Sequence, residues 1–143
     1  MNQNFTTLLV DDDPNDVALF KKALASNGWK NPVQVAKDGE EAISYLLHKP
    51  PFDKPEHFYP EIIITDIKMP KKTGLEFLSW LKENPVYRVI PTMVLSSSSN
   101  VQEVKQAYYL GASAFMRKPG SFDELRGLLK GIYDFWCHCE IPG

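Results

Sequence analysis

Four places in the chain carry groups that chemistry would use. Asp11 and Asp12 are adjacent, Asp66 stands in Asp66-Ile67-Lys68-Met69-Pro70, Ser96 opens a serine run, and Lys118 precedes Pro119. Two neighbouring carboxylates repel each other, and a site tolerates that when a cation lies close by. Taken singly, each group has a plainer reading. A lone Asp caps a turn, and a serine-rich stretch makes a turn with an N-cap at Ser99 or Asn100.

The elements that position these groups can be read in turn. Residues 62–64, Ile-Ile-Ile, suit a strand buried on both faces, and Pro70 and Gly74 break the pattern after it. Asp66 therefore falls at a strand's carboxyl end, where open α/β sheets place their chemistry. Residues 6–10 read as a first strand running straight into Asp11 and Asp12. Asp13 follows as an N-cap with Pro14 at the first helical position, opening a helix striped by Val17, Phe20 and Leu24 that stops near Gly28. Residues 33–36 are a short second strand. Asp38 and Glu41 look like a capping box for a helix with Ile43, Leu46 and Leu47 on its apolar face.

Residues 49–60 hold four prolines and read as a loop, either an inert surface insertion or a contact for a partner, the first being the plainer reading. After the third strand, a helix over residues 72–83 buries Leu75, Leu78 and Leu81. Residues 92–95 form a fourth strand that ends at Ser96, and the helix after it carries Val101, Val104 and Tyr108 and stops at Gly111. Residues 113–117 form a fifth strand before Lys118. The last helix sets Phe122, Leu125, Leu129, Ile132 and Trp136 on one stripe, and Gly127 and Gly131 suggest close packing there. Five β-α alternations predict an α/β fold, a (βα)5 doubly wound five-stranded parallel sheet with helices on both faces. Its carboxyl edge would gather Asp11, Asp12, Asp66, Ser96 and Lys118.

Bulk properties narrow the classes. The 143 residues fit one domain, with a core at about residues 6–137 and no composition shift asking for a second. A formal net charge of −2 leaves no footprint for nucleic acid. The start has no signal-peptide pattern and no apolar run approaches a membrane span, so a cytoplasmic protein is expected. Cys137 and Cys139 flank His138, short of the about four ligands a metal site wants, and read as reduced thiols.

Asp-Asp after strand one, Asp-x-x-Met-Pro-x-x-x-Gly after strand three, a hydroxyl after strand four and Lys-Pro after strand five resemble the response-regulator receiver domain, a flavodoxin-like fold. The resemblance runs over residues 7–135. The Pro-rich insertion and the lack of an output domain resemble the small stand-alone receivers that partner bacterial phytochrome histidine kinases.

This resemblance implies that Asp66 is the phosphoacceptor, attacking a phosphohistidine or a small acyl phosphate. It implies Mg²⁺ held by Asp12 and Asp66 directly, by Asp11 through water and by the backbone carbonyl of Lys68. Lys118 would pair with one phosphoryl oxygen, Ser96 would donate to another, and Phe115 matches the aromatic switch position. Two departures stand out: Ser96 where many receivers have Thr, and Phe115 where many have Tyr. Lys68 and Ser98 offer no group that orients a water well, which implies a long-lived phosphoryl group.

The implied function is a two-component phosphorelay response regulator, not a turnover enzyme. It would take its phosphoryl group from a histidine kinase and signal to a downstream protein, with neither nucleic acid nor membrane as partner. The face made by the fourth helix, fifth strand and fifth helix would carry output, including homodimer formation. The alternative is a pseudo-receiver scaffold that is never phosphorylated. A phosphatase of the haloacid dehalogenase type would need an acid where Lys68 stands, and a nucleotide binder would need a Gly-rich phosphate loop that is missing.

Overall fold

Burial on both sheet faces follows from the sequence of the strands themselves. In the computed structural model, which describes residues 5–98 and 100–142, β1 (Thr7–Val10), β3 (Ile62–Thr65) and β4 (Thr92–Ser96) are buried throughout. β2 (Val33–Ala36) and β5 (Ala114–Arg117) are the edge strands of a five-stranded sheet in the order β2-β1-β3-β4-β5. Every pairing is parallel. Between the strands run α1 (Pro14–Ser26), α2 (Gly39–Leu46), α3 (Gly74–Glu83) and α4 (Val101–Tyr109), and α5 (Phe122–Cys137) follows β5.

Alternating side chains divide the core in two. Leu8, Val10, Ile63 and Val94 face α2, α3 and α4, where Tyr45, Leu46, Phe77, Leu78 and Ala107 pack. Leu9, Ile62, Ile64 and Met93 face α1 and α5, where Phe20, Leu24, Leu129 and Tyr133 pack. The expected doubly wound α/β sheet with helices on both faces is therefore what the chain forms. Strand order reverses direction between β1 and β3, and open sheets form a crevice at such a point, outside the strands' carboxyl ends.

Several local expectations change. Gly74 is not a loop breaker but the first residue of α3, whose capping box pairs Thr73 with Glu76. Asp38 caps α2 as read, yet Glu41 accepts from the N–H of Lys37 instead of closing the box. Tyr45, not Leu47, is buried on α2, because Leu47 has already become the C-cap. Leu75 is only partly buried, and Phe77 takes its place in the core.

The stripe on α4 is largely exposed. Ala107 is its only buried residue, while Val101 is 67% exposed and Tyr109 71% exposed. Asn100 caps it by accepting from the N–H of Glu103; Ser99, the other candidate cap, lies outside the described residues. Gly127 and Gly131 face open space, with nothing within 4 Å of an added Cβ, so they do not mark close packing. The loop over residues 49–60 has no regular element but is tied down by the hydroxyl of Tyr45 donating to the Phe58 carbonyl at 2.6 Å. Among the described residues no helix is long and apolar enough to cross a membrane.

Candidate functional site

The ends of β1, β2 and β3 are locked together past their last paired residues. The N–H of Asp66 donates to the Val10 carbonyl at 2.9 Å, and the N–H of Asp11 donates to the Ala36 carbonyl at 2.9 Å. Each aspartate also anchors its own side chain. Asp11 Oδ1 accepts from the N–H of Asp13 at 3.0 Å, and Asp66 Oδ1 accepts from the N–H of Ile67 at 2.7 Å. Asp13 meanwhile caps α1, accepting from Asn15, with Pro14 at the first helical position. Asp11 and Asp66 are buried and Asp12 is exposed.

The carboxylate oxygens of Asp11, Asp12 and Asp66 lie within 4.8 Å of one another, the one group of potential metal ligands of this kind found among the described residues. Converging hard oxygens fit Mg²⁺ or Mn²⁺, which prefer oxygen donors. Cys137 and Cys139 are free thiols outside any such group. Lys68 is exposed in the bend after Asp66.

Lys118 reaches the acids from the far side. Its N–H donates to the Ser96 carbonyl at 2.9 Å, which fixes the turn after β5. Its ammonium then donates to Asp11 Oδ2 at 2.9 Å, Asp66 Oδ2 at 2.9 Å and Asp16 Oδ2 at 2.7 Å. Burial alone would push this amine down, but the hydrogen bonds to Asp16, Asp66 and Asp11 more than reverse that and raise it. The carboxyl of Asp11 is held up by burial, against the Asp13 N–H and the Lys118 ammonium, which pull it down. A cavity of about 120 Å³ is lined by Asp11, Asp16, Asp66 and Lys118 together with Leu9, Phe20, Ile64 and Leu95, so the ion pairs border apolar ground.

Ser96 is the buried last residue of β4, and its hydroxyl accepts from the N–H of Ser98 at 3.2 Å. Ser98 in turn donates to Glu103 at 2.5 Å. Phe115 lies outside the pocket, half-buried on β5, with its N–H donating to the Tyr108 hydroxyl at 3.1 Å. The structure thus gathers Asp11, Asp12 and Asp66, bonds Lys118 to Asp11 and Asp66, and sets Ser96 on the same sheet edge. Asp16 was missed from sequence. Its signal was an acid in the first turn of a helix that begins right after the paired aspartates.

Residues 7–130 match the family model described as the response regulator receiver domain. The chain belongs to that family. Receiver relatives include the transcriptional regulatory protein TrcR of Mycobacterium tuberculosis, 38% identical over 135 residues, covering 94% of this chain and 48% of TrcR. The response regulator Rcp1 of Synechocystis sp. is 30% identical over 129 residues, covering 90% of this chain and 86% of Rcp1. The receiver therefore spans about half of TrcR and most of Rcp1. Among solved structures, the phosphorylated cyanobacterial phytochrome response regulator RcpA superposes with a TM-score of 0.89 at 30% identity, covering 98% of this chain and 99% of RcpA. The Mn²⁺-bound form of Rcp1 gives a TM-score of 0.86 at 28% identity, covering 97% of this chain and 99% of Rcp1.

Proposed function

We propose that this receiver accepts a phosphoryl group on Asp66 from the phosphohistidine of a histidine kinase, and that the change switches a protein-binding surface. The observation that carries the reading is the buried Asp66 carboxylate at the end of β3, with Lys118 at 2.9 Å and two further carboxylates beside it. A carboxylate oxygen of Asp66 attacks phosphorus, the P–N bond breaks, and the imidazole leaves with the bonding electrons. Asp11, Asp12 and Asp66, with the backbone carbonyl of Lys68, are the groups that would hold Mg²⁺. Bound there, the cation neutralises charge gathering on the phosphoryl oxygens. Lys118 contributes a fixed ammonium to one such oxygen, and the Ser96 hydroxyl a hydrogen bond to another.

One transfer per cycle at Asp66 makes the receiver a phosphoacceptor, not a turnover enzyme. The likeness to the cyanobacterial phytochrome response regulator RcpA supports a phytochrome-type histidine kinase as the donor, and this reading sets the transfer in the cytoplasm. Residues 1–143 form one receiver domain in this reading. Ser96 and Phe115 transmit the state of the pocket to the face of α4, β5 and α5, where Val101, Tyr108 and Tyr109 stand exposed to a downstream protein or a second copy.

Incubation with Mg²⁺ and acetyl phosphate, followed by intact mass, should show a single added phosphoryl group. Asp66→Asn should show none. Stoichiometric label on that variant, or an unlabelled parent, would defeat the reading.

A further inference from the structure

The ammonium of Lys118 has three protons, and all three are used: one on Asp11, one on Asp66 and one on Asp16. The first two acceptors are also the groups that would take a cation. Asp16 is not. It lies outside the converging set of three, and the ion pair with Lys118 is the shortest of the three at 2.7 Å. It comes from the first turn of α1 and not from a strand end, and the helix's own N-terminal N–H groups favour a carboxylate there. The helix is fixed against α5 by Phe20 and Leu24 in the shared core and by Asn27 donating to the Arg126 carbonyl at 2.9 Å. Asp16 therefore holds its end of the pair at a set distance.

A lysine and a divalent cation compete for the same two carboxylates, and the competition must resolve in favour of the cation for the pocket to load. A lysine with no other partner would give up Asp11 and Asp66 only by leaving its charge half-buried and unpaired, which is costly. We propose that Asp16 is a positioning residue for Lys118: its carboxylate anchors the ammonium on the α1 side, so that Asp11 and Asp66 can pass to a divalent cation while Lys118 keeps a charged partner. This rests on the phosphoacceptor reading above but concerns a residue that reading does not use.

The test is a cycle of Mg²⁺ titrations by calorimetry, without any phosphodonor, on the parent, Asp16→Asn, Lys118→Met and the double variant. In the parent background Asp16→Asn should weaken Mg²⁺ binding by about tenfold, because Lys118 falls back on Asp11 and Asp66. With Lys118→Met already present, the same change should cost less than about twofold, and Asp16→Glu should restore most of the parent affinity. Equal losses in both backgrounds would mean that Asp16 acts only as a distant negative charge, and would overturn the inference. No loss in the parent background would do the same. A parent that takes no Mg²⁺ at all defeats the phosphoacceptor reading and this inference with it. A parent that binds Mg²⁺ and labels on Asp66, but shows no coupling, defeats only the inference. Asp16 is half-exposed, and matched melting curves would show that its variants fold.

Discussion

Gly74 begins α3 with its Cα set against the backbone that carries Asp66, and no larger residue fits. An added Cβ would run into the Asp66 carbonyl oxygen and come within 2.8 Å of the Ile67 Cα. The same glycine donates its N–H to the Ile67 carbonyl at 2.8 Å, which closes the bend after Asp66 together with the Ile67 N–H on Asp66 Oδ1. Gly74→Ala is expected to cost about 2–3 kcal/mol by overpacking, since the obstruction is main chain and cannot rotate away. Urea unfolding would give that figure, and phosphoryl labelling of the variant should fall with it. An alanine variant as stable as the parent would show that the bend relaxes freely.

Elements differ in how they are held. The turns over residues 49–60 are organised around one side chain of α2: Tyr45 donates to the Phe58 carbonyl, and its own carbonyl pairs with the His57 ring at 2.8 Å. The rings of Tyr45 and His57 stand 4.3 Å apart, and Phe52 meets Tyr45 edge-on. Tyr45→Phe keeps the packing and removes one hydrogen bond, at a cost of about 1 kcal/mol. Amide hydrogen exchange should then quicken over residues 52–59 and stay unchanged in the five strands. The contrast is α4, where the exposed Val101 and Tyr109 contribute little to stability and leave a surface free for contact.

Among the described residues, Tyr133, Tyr45 and Lys118 tie stability to alkaline pH with one sign, and Tyr87, also raised by burial, adds to them in the same sense. Burial pushes Tyr133 up to about 12, partly offset by its hydrogen bond to Thr7, and burial pushes Tyr45 up to about 12 as well. Lys118 is raised by its three carboxylates in spite of burial. For the tyrosines, the unfolded chain loses its proton near 10.0 while the folded chain keeps it to about 12, so stability falls as pH rises across that window. The contribution of Lys118 is complete below the ordinary lysine value and is lost as pH climbs through its raised one. Unfolding free energy should therefore be flat from neutral pH to about 10 and then drop, by up to about 1.4 kcal/mol per pH unit for each such group. Tyr133→Phe should make the drop shallower in chemical denaturation run at several alkaline pH values, and an unchanged slope would contradict the assignment.

Sequence alone determined the order of elements, the parallel sheet and the placing of Asp11, Asp12, Asp66, Ser96 and Lys118 at strand ends. Those features are local: a β-branched run ends where proline and glycine break it, and an alternation of strand and helix leaves a parallel sheet as the way to bury both. Tertiary structure decided what depends on neighbours. A stripe such as Val101, Val104 and Tyr108 has helical spacing whether or not anything covers it, and α4 is fully buried only at Ala107. Gly127 and Gly131 could not be told from packing glycines until α5 was seen to turn them outward. Asp16 reads as an ordinary first-turn acid, and only the approach of Lys118, 102 residues further along the chain, brings it into the pocket.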